Sequence, residues 1–446
     1  MIDAVLELLL AKLSDDMNLE TEHLDVSDRG FASRLFYLGF AVRMSIVTFF
    51  MVTGVDRTYR LTKDGFFYDR MGKEIAEYYR TGGLTGWPHR VTAVIDFLYE
   101  HLVGLVYYLT DDSMFAMRCI NAAAGAFIPV LVWKTAQYVT DRGTSRRAAV
   151  WSAVFPTQLY YSCLPVRDSL STLSIVLVFL GMTAVASNGR RRDILALPIG
   201  LALTAGFRAY VFTVLAALIP CCWVASAVLA KNKNKGRFVV KIVLLGIVAA
   251  VIGLKFGLDD AFSSGKAAYV TDLDYWNKIR VKMNHGAGSV YGDGDVPQLG
   301  ESIRDTLYGV LTGLYFFFVS VDPTRISSFR QFMAIPETLI VVYMLPSMWR
   351  GGRRVLKFHR FTCLPLLLVA GAITFGYSSV TTNGGPLMRW RLQVVNVYIL
   401  IAAIGFGREY LAEQLAVAAS REPDTDYPTP ETDRAFRHRH MSTDYY

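Results

Sequence analysis

The chain has 446 residues, of which 53% are hydrophobic and only 19% charged, and its net charge is +8. Average soluble domains carry about 45–50% apolar residues and about 25% charge, and the 27 Phe, 24 Tyr and 7 Trp exclude a disordered chain. With a mean hydropathy of +0.32, the reading that remains is an all-α, polytopic transmembrane helical bundle.

Met1 to Asp28 is acidic and polar rather than basic then apolar, so no cleavable leader is expected. Residues 1–34 read as a cytoplasmic segment with one short surface helix, Ile2 to Leu13. A spanning helix needs about 20 mostly apolar residues. About ten stretches meet or approach that length: 35–55, 114–138, 147–165, 169–187, 194–207, 210–230, 238–258, 334–349, 359–378 and 391–407. They are nearly uncharged apart from Arg43 and a few edge residues, and Arg43 is expected to snorkel toward the cytoplasm. The five cysteines, Cys119, Cys163, Cys221, Cys222 and Cys363, lie in or beside apolar runs and read as packing residues.

Cations concentrate in four connections: Arg142, Arg146 and Arg147; Arg190, Arg191 and Arg192; Lys231, Lys233, Lys235 and Arg237; and Arg350, Arg353, Arg354, Lys357 and Arg360. The positive-inside rule puts all four in the cytoplasm. The charge is therefore topological and not the footprint of a nucleic-acid partner. This orientation makes 56–113 and 259–333 external, with a re-entrant or surface-lying element at 306–321. The expected modules are 35–258 with seven spans, the external loop 259–333, a three-span part 334–407, and a disordered cytoplasmic tail 408–446. Asp293 and Asp295 read as a plain Gly-Asp turn and His285 as a solvated loop residue.

The first external loop carries a helix beginning at Lys63-Asp64-Gly65-Phe66-Phe67-Tyr68, with Asp64 as cap or first-turn acid. Phe67, Tyr68, Met71, Ile75, Tyr78 and Tyr79 are expected on one side, and Thr81-Gly82-Gly83 stops the helix. From Val91 to Leu109 the apolar residues Val91, Val94, Ile95, Leu98, Leu102, Leu105 and Val106 follow helical spacing, while Asp96, Glu100 and His101 interrupt them. That pattern predicts a second amphipathic helix in the membrane interface.

Ionisable groups at a membrane are costly and mark function. Four sites fall at the predicted outer surface: Asp64; Arg167-Asp168 in a short turn; Arg208 between two apolar runs; and Asn383 to Arg391, with Arg389 and Arg391. Guanidinium groups grip phosphate oxygens bidentately and stabilise charge on a departing phosphate. A nearby aspartate can take the proton of an attacking hydroxyl. The pattern suits a lipid-phosphate sugar donor. Helix capping by Asp64, lipid-headgroup anchoring by Arg389 and Arg391, and a local Arg167–Asp168 ion pair are the plainer readings of the same residues.

In layout the chain resembles the GT-C superfamily of integral-membrane glycosyltransferases, in particular the protein O-mannosyltransferase and aminoarabinose-transferase type. The resemblance covers roughly 35–258, and 300–407 more loosely. It rests on a first span, an external loop bearing Asp64-Gly65-Phe66-Phe67-Tyr68 and two juxtamembrane helices, six further spans, and a larger late loop. It implies Asp64 as catalytic base, Asp168 as a second acidic site, and Arg208, Arg389 and Arg391 as donor-phosphate ligands, with Tyr68, Arg167 and Asn383 supporting. It also implies a polyprenyl-phosphate-sugar donor, a glycan, lipid or protein acceptor, and a site facing outward from a bacterial inner or archaeal plasma membrane. Here Asp64 is followed by Gly65 where many relatives have a second acid, and Pro-Pro-Leu-Tyr is replaced by Gly86-Trp87-Pro88-His89. A divalent metal, used in the related oligosaccharyltransferases, is left open. The competing readings are a lipid-linked-glycan polymerase or ligase, and a glycolipid flippase or transporter.

Overall fold

Backbone that enters hydrocarbon must satisfy its own hydrogen bonds, and helices do so within one segment. The computed structural model describes residues 26–55, 63–81, 98–187, 189–229, 277, 278, 281, 303–319, 329–380 and 384–407. These form thirteen α-helices: α1 (Val26–Thr53), α2 (Lys63–Thr81), α3 (Leu98–Thr110), α4 (Met114–Gln137), α5 (Arg142–Val154), α6 (Pro156–Ser162), α7 (Asp168–Ala186), α8 (Arg191–Phe207), α9 (Ala209–Leu229), α10 (Ile303–Phe318), α11 (Phe329–Phe358), α12 (Arg360–Val380) and α13 (Gly384–Phe406). Expectations for 1–25, 56–62, 82–97, 238–258, His285, Asp293, Asp295, Asn383 and 408–446 lie outside the described residues.

Among the described residues, five helical stretches are long and apolar enough to cross a membrane: Gly30–Thr53, Met114–Gln137, Asp168–Ala186, Thr362–Ser379 and Pro386–Phe406. The chain has the character of an integral membrane protein, but about ten spans are not what these residues show. Ala209–Val224 and Thr306–Phe318 are shorter apolar helices. The stretch 194–207 lies within the 17 residues of α8. The expected span 147–165 is not one helix: α5 and α6 meet at Phe155, whose φ of −62° and ψ of 121° are extended, and Pro156 starts the new helix. Proline alone does not explain the break, because Pro129, Pro198 and Pro220 sit inside continuous helices.

α7 and α13 form the centre, with 83% of each candidate span buried, against 17% for α1. α1 packs on α4 and turns Leu38, Phe49 and Val52 outward. Apolar burial gives helices in lipid little reason to associate, so close backbone approach has to supply it. The crossing of α11 and α13 uses two glycines for this. A Cβ on Gly351 would stand 1.9 Å from the Ile401 carbonyl oxygen, and one on Gly405 1.9 Å from that of Ser347.

Charged side chains are buried within several helices. Arg43 does not snorkel: it is buried, and its Nε donates to Ser162 Oγ at 2.9 Å and its Nη1 to the Gly39 carbonyl at 2.9 Å. Arg118 and Glu337 are also buried within helices. Among the described residues, cations of the connections gather at one end of the bundle. There Arg142 and Arg146 each reach Asp28 Oδ1 at 2.8 Å, and Arg354 donates to the Ile404 carbonyl at 2.7 Å. The N-termini of α7 and α13 and the C-terminus of α8 meet at the other end, where Asp168 accepts from both Arg389 and Arg208.

Candidate active site

α2 starts at Lys63 and ends at Thr81, where the sequence puts both limits. Tyr68, Ile75 and Ala76 bury themselves, while Phe66 and Phe67 remain exposed. The partner face is α3, with Tyr99, Val103 and Tyr107 buried in the same cluster as Tyr68. Gly72 permits the approach: a Cβ there would stand 2.3 Å from Val103 Cγ1. Tyr107 donates its hydroxyl to Asp69 Oδ1 at 2.7 Å, which fixes the helix pair in register. The consequence is that Asp64, in the first turn of α2, is held over the bundle.

The other acid is positioned from below. Asn121 of α4, fully buried, sets its amide nitrogen 2.7 Å from the Leu164 carbonyl, 3.0 Å from that of Val166 and 3.1 Å from the Tyr99 hydroxyl. It braces the turn that leads into Arg167 and Asp168. Tyr99 in turn packs edge-on against Tyr68, with ring centroids 4.7 Å apart. Burial raises the Tyr68 phenol above its ordinary value, with Arg167 opposing, so Tyr68 stays a neutral hydroxyl.

Four of the expected residues form one chain of ion pairs. Arg389 donates from Nη1 to Asp64 Oδ2. The same guanidinium donates from Nη2 and Nε to Asp168 Oδ2, at 2.7 and 3.1 Å. Arg208 closes the chain, donating from Nη2 to Asp168 Oδ1 at 2.7 Å. Arg208 also reaches Tyr210 (2.6 Å) and Ser171 (3.3 Å). Tyr161 lies under Arg389, 5.7 Å from guanidinium carbon to ring centroid. Arg167 donates to the Phe207 carbonyl at 3.2 Å, beside Arg208. Exposure grades along the chain: the Asp64 side chain is 45% exposed, Arg389 22%, Arg208 4% and Asp168 1%. Both oxygens of Asp168 accept from guanidinium groups, so it fixes two arginines at a set separation. Asp64 is the acid that remains open to an incoming molecule.

Arg391 is not part of this group. It is buried, donates from Nη1 to the Phe317 and Phe318 carbonyls at 2.8 and 3.0 Å, and pairs through Nη2 with Glu337. Glu337 uses its second oxygen to accept from the Thr157 backbone N–H at 2.8 Å. The carboxylate thus caps the first turn of α6, and the guanidinium satisfies the last carbonyls of α10. Arg391, expected as a donor ligand, therefore links the end of α10, through Glu337, to the first turn of α6 beside the break. Of the supporting residues, Tyr68 and Arg167 adjoin the ion-pair chain and Asn383 is outside the described residues.

Sequence reasoning missed Asn121, Glu337, Tyr210 and Tyr161. A Glu inside an apolar stretch was a visible signal for Glu337; nothing local marks the other three. A divalent cation does not fit these acids, because Asp64 and Asp168 both face guanidinium groups. Among the described residues no group of three His, Cys, Asp or Glu side chains is placed to hold one. No family model, curated protein or solved structure matches the chain.

Proposed function

We propose that this protein is a GT-C-like membrane glycosyltransferase that moves a sugar from a polyprenyl-phosphate donor to an external hydroxyl-bearing acceptor: a glycan, a lipid or a protein. The observation that carries the reading is the sharing of Arg389 between a half-exposed Asp64 and a buried Asp168 that also holds Arg208. Two guanidiniums preorganised by a buried acid form a phosphate receptor, and an accessible carboxylate beside them is a base in reach of the same substrate.

In the reaction, the acceptor oxygen attacks the anomeric carbon and Asp64 takes its proton. The bond from that carbon to the phosphate oxygen breaks, and the bonding pair stays on the phosphate. Arg389 and Arg208 stabilise the charge gathering there. The cationic end of the bundle then faces the cytoplasm and the Asp64 end faces outward. Given purified protein and a radiolabelled polyprenyl-phosphate sugar, Asp64→Asn is expected to lower transfer by about 10²- to 10⁴-fold with folding intact. Near-normal transfer by that variant removes the base from the scheme. Transfer only from a pyrophosphate-linked glycan would favour the polymerase or ligase reading.

One observation favours a second reading, a glycolipid flippase: Arg43, Arg118, Glu337 and Arg391 are buried in helices, and the α5–α6 segment is broken. Broken helices with intramembrane charges are the usual material of transport sites. Lipid-linked sugar crossing a vesicle membrane, unaltered by Asp64→Asn, would support that reading over transfer.

A further inference from the structure

We infer that the Asp64–Arg389 ion pair is a latch opened by the donor's phosphate, so that the base is released only when the phosphate has arrived. The inference rests on the glycosyl-transfer reading and concerns the regulation of the same site.

A guanidinium offers two edges to a bidentate acceptor: Nε with the adjacent terminal nitrogen, and the two terminal nitrogens together. In Arg389 the Nε–Nη2 edge is already committed to Asp168 Oδ2. A phosphate that grips Arg389 with two oxygens therefore has to use Nη1, and Nη1 is the nitrogen that Asp64 holds. The two acids compete unequally with such a ligand. Asp168 is 1% exposed and is anchored by Arg208 as well. Asp64 is 45% exposed and solvent weakens its pair. The incoming phosphate displaces Asp64 and leaves Asp168 in place.

The released carboxylate has a place to go. It stands in the first turn of α2, whose leading N–H groups and dipole favour an anion. The oxygen it withdraws from Arg389 then has a lone pair for the acceptor's proton. Phosphate binding and base release become one event, and the resting site holds no exposed base free of a cation. Arg208 does not offer the same exchange, because its Nη1, Nη2 and Nε face Tyr210, Asp168 and Ser171, all within hydrogen-bond reach.

The test uses the full chain in lipid nanodiscs and a polyprenyl monophosphate without sugar, so that binding is read without turnover. Dissociation constants are compared for the wild type, Asp64→Asn, Arg389→Gln and the double variant, with thermal unfolding as the folding control; Arg389→Lys, which keeps one charge but has no edge, substitutes if Arg389→Gln does not fold. Asp64→Asn is expected to bind about tenfold more tightly than the wild type, and the gain is expected to vanish in the Arg389 variant background. An unchanged or weaker Asp64→Asn overturns the latch while leaving the phosphate site standing. An equal gain in the Arg389 background also overturns it, since that is general relief of charge repulsion. If the Arg389 variants bind the probe as well as the wild type, the donor assignment itself fails, and the latch with it.

Discussion

Arg389 and Arg391 stand two residues apart on α13 and live in different worlds. Arg389 is 22% exposed and shared between two acids that belong to α2 and α7. Arg391 is 1% exposed and sealed against Glu337 and the end of α10. Two residues on a helix differ by about 200° around its axis, so side chains at i and i+2 face opposite ways. Residue type and neighbourhood in the sequence are the same for both. What separates them is the start of α13 at Gly384, which puts both arginines on the helix rather than in a loop before it. One pair can therefore be exchanged with a ligand, and the other can only be kept or lost.

The sealed pair should give the largest effect on stability. Glu337→Gln keeps an acceptor for the Thr157 N–H but leaves Arg391 buried without its carboxylate. The expected loss is about 3–5 kcal/mol, or failure to insert and fold. Arg391→Met is expected to cost as much from the other side. Combining the two removes both charges, and the double variant should recover to within about 1–2 kcal/mol of the wild type. Unfolding in detergent measures all three. Additive losses in the double variant would mean that the two side chains do not act as a pair.

The open pair should divide function from stability the other way. Arg389→Gln leaves Asp168 its bond to Arg208, so the stability cost is expected to be about 1–2 kcal/mol. Sugar transfer is expected to fall by about 10²-fold or more, because a guanidinium aimed at the departing phosphate is lost. Arg389→Gln is expected to fold and be inactive while Arg391→Met barely folds. If both variants fold and lose transfer to the same degree, both arginines serve the donor.

Local pattern carried much of this molecule. Among the described residues the apolar runs form helices, and the Lys63–Thr81 helix has the limits its acid start and glycine stop require. Asp64, Asp168, Arg208 and Arg389 were legible because intact charge at the ends of apolar helices is rare without cause. What was not legible depends on partners far along the chain. Beside the break at Phe155, Thr157 donates to Glu337, 180 residues away, and six other prolines lie within helices that continue through them. Arg43 looked like a snorkelling residue because Ser162, its partner, is 119 residues distant. The broken segment at 147–165 was illegible for the same reason: hydropathy measures segments singly, whereas a buried break or a buried charge is settled between segments.

The smallest effect should come from the outer support of Arg208. Tyr210 accepts from Arg208 Nη1 at 2.6 Å, and its hydroxyl lies 3.4 Å from that of Tyr377, which donates to Gln393 Oε1 at 2.7 Å. This relay joins α9, α12 and α13 behind the site. Tyr210→Phe keeps the ring, whose centroid is 6.5 Å from that of Tyr377, and deletes only the hydroxyl. Arg208 retains Asp168 and Ser171, and Tyr377 retains Gln393, so no buried charge is left alone. The expected cost is about 1 kcal/mol in unfolding and a weakening of polyprenyl-phosphate binding of no more than about fivefold. A loss as large as that of Arg389→Gln would mean that the relay, and not Asp168, sets the direction of Arg208. The open cluster would then depend on distant polar contacts as much as the sealed one does.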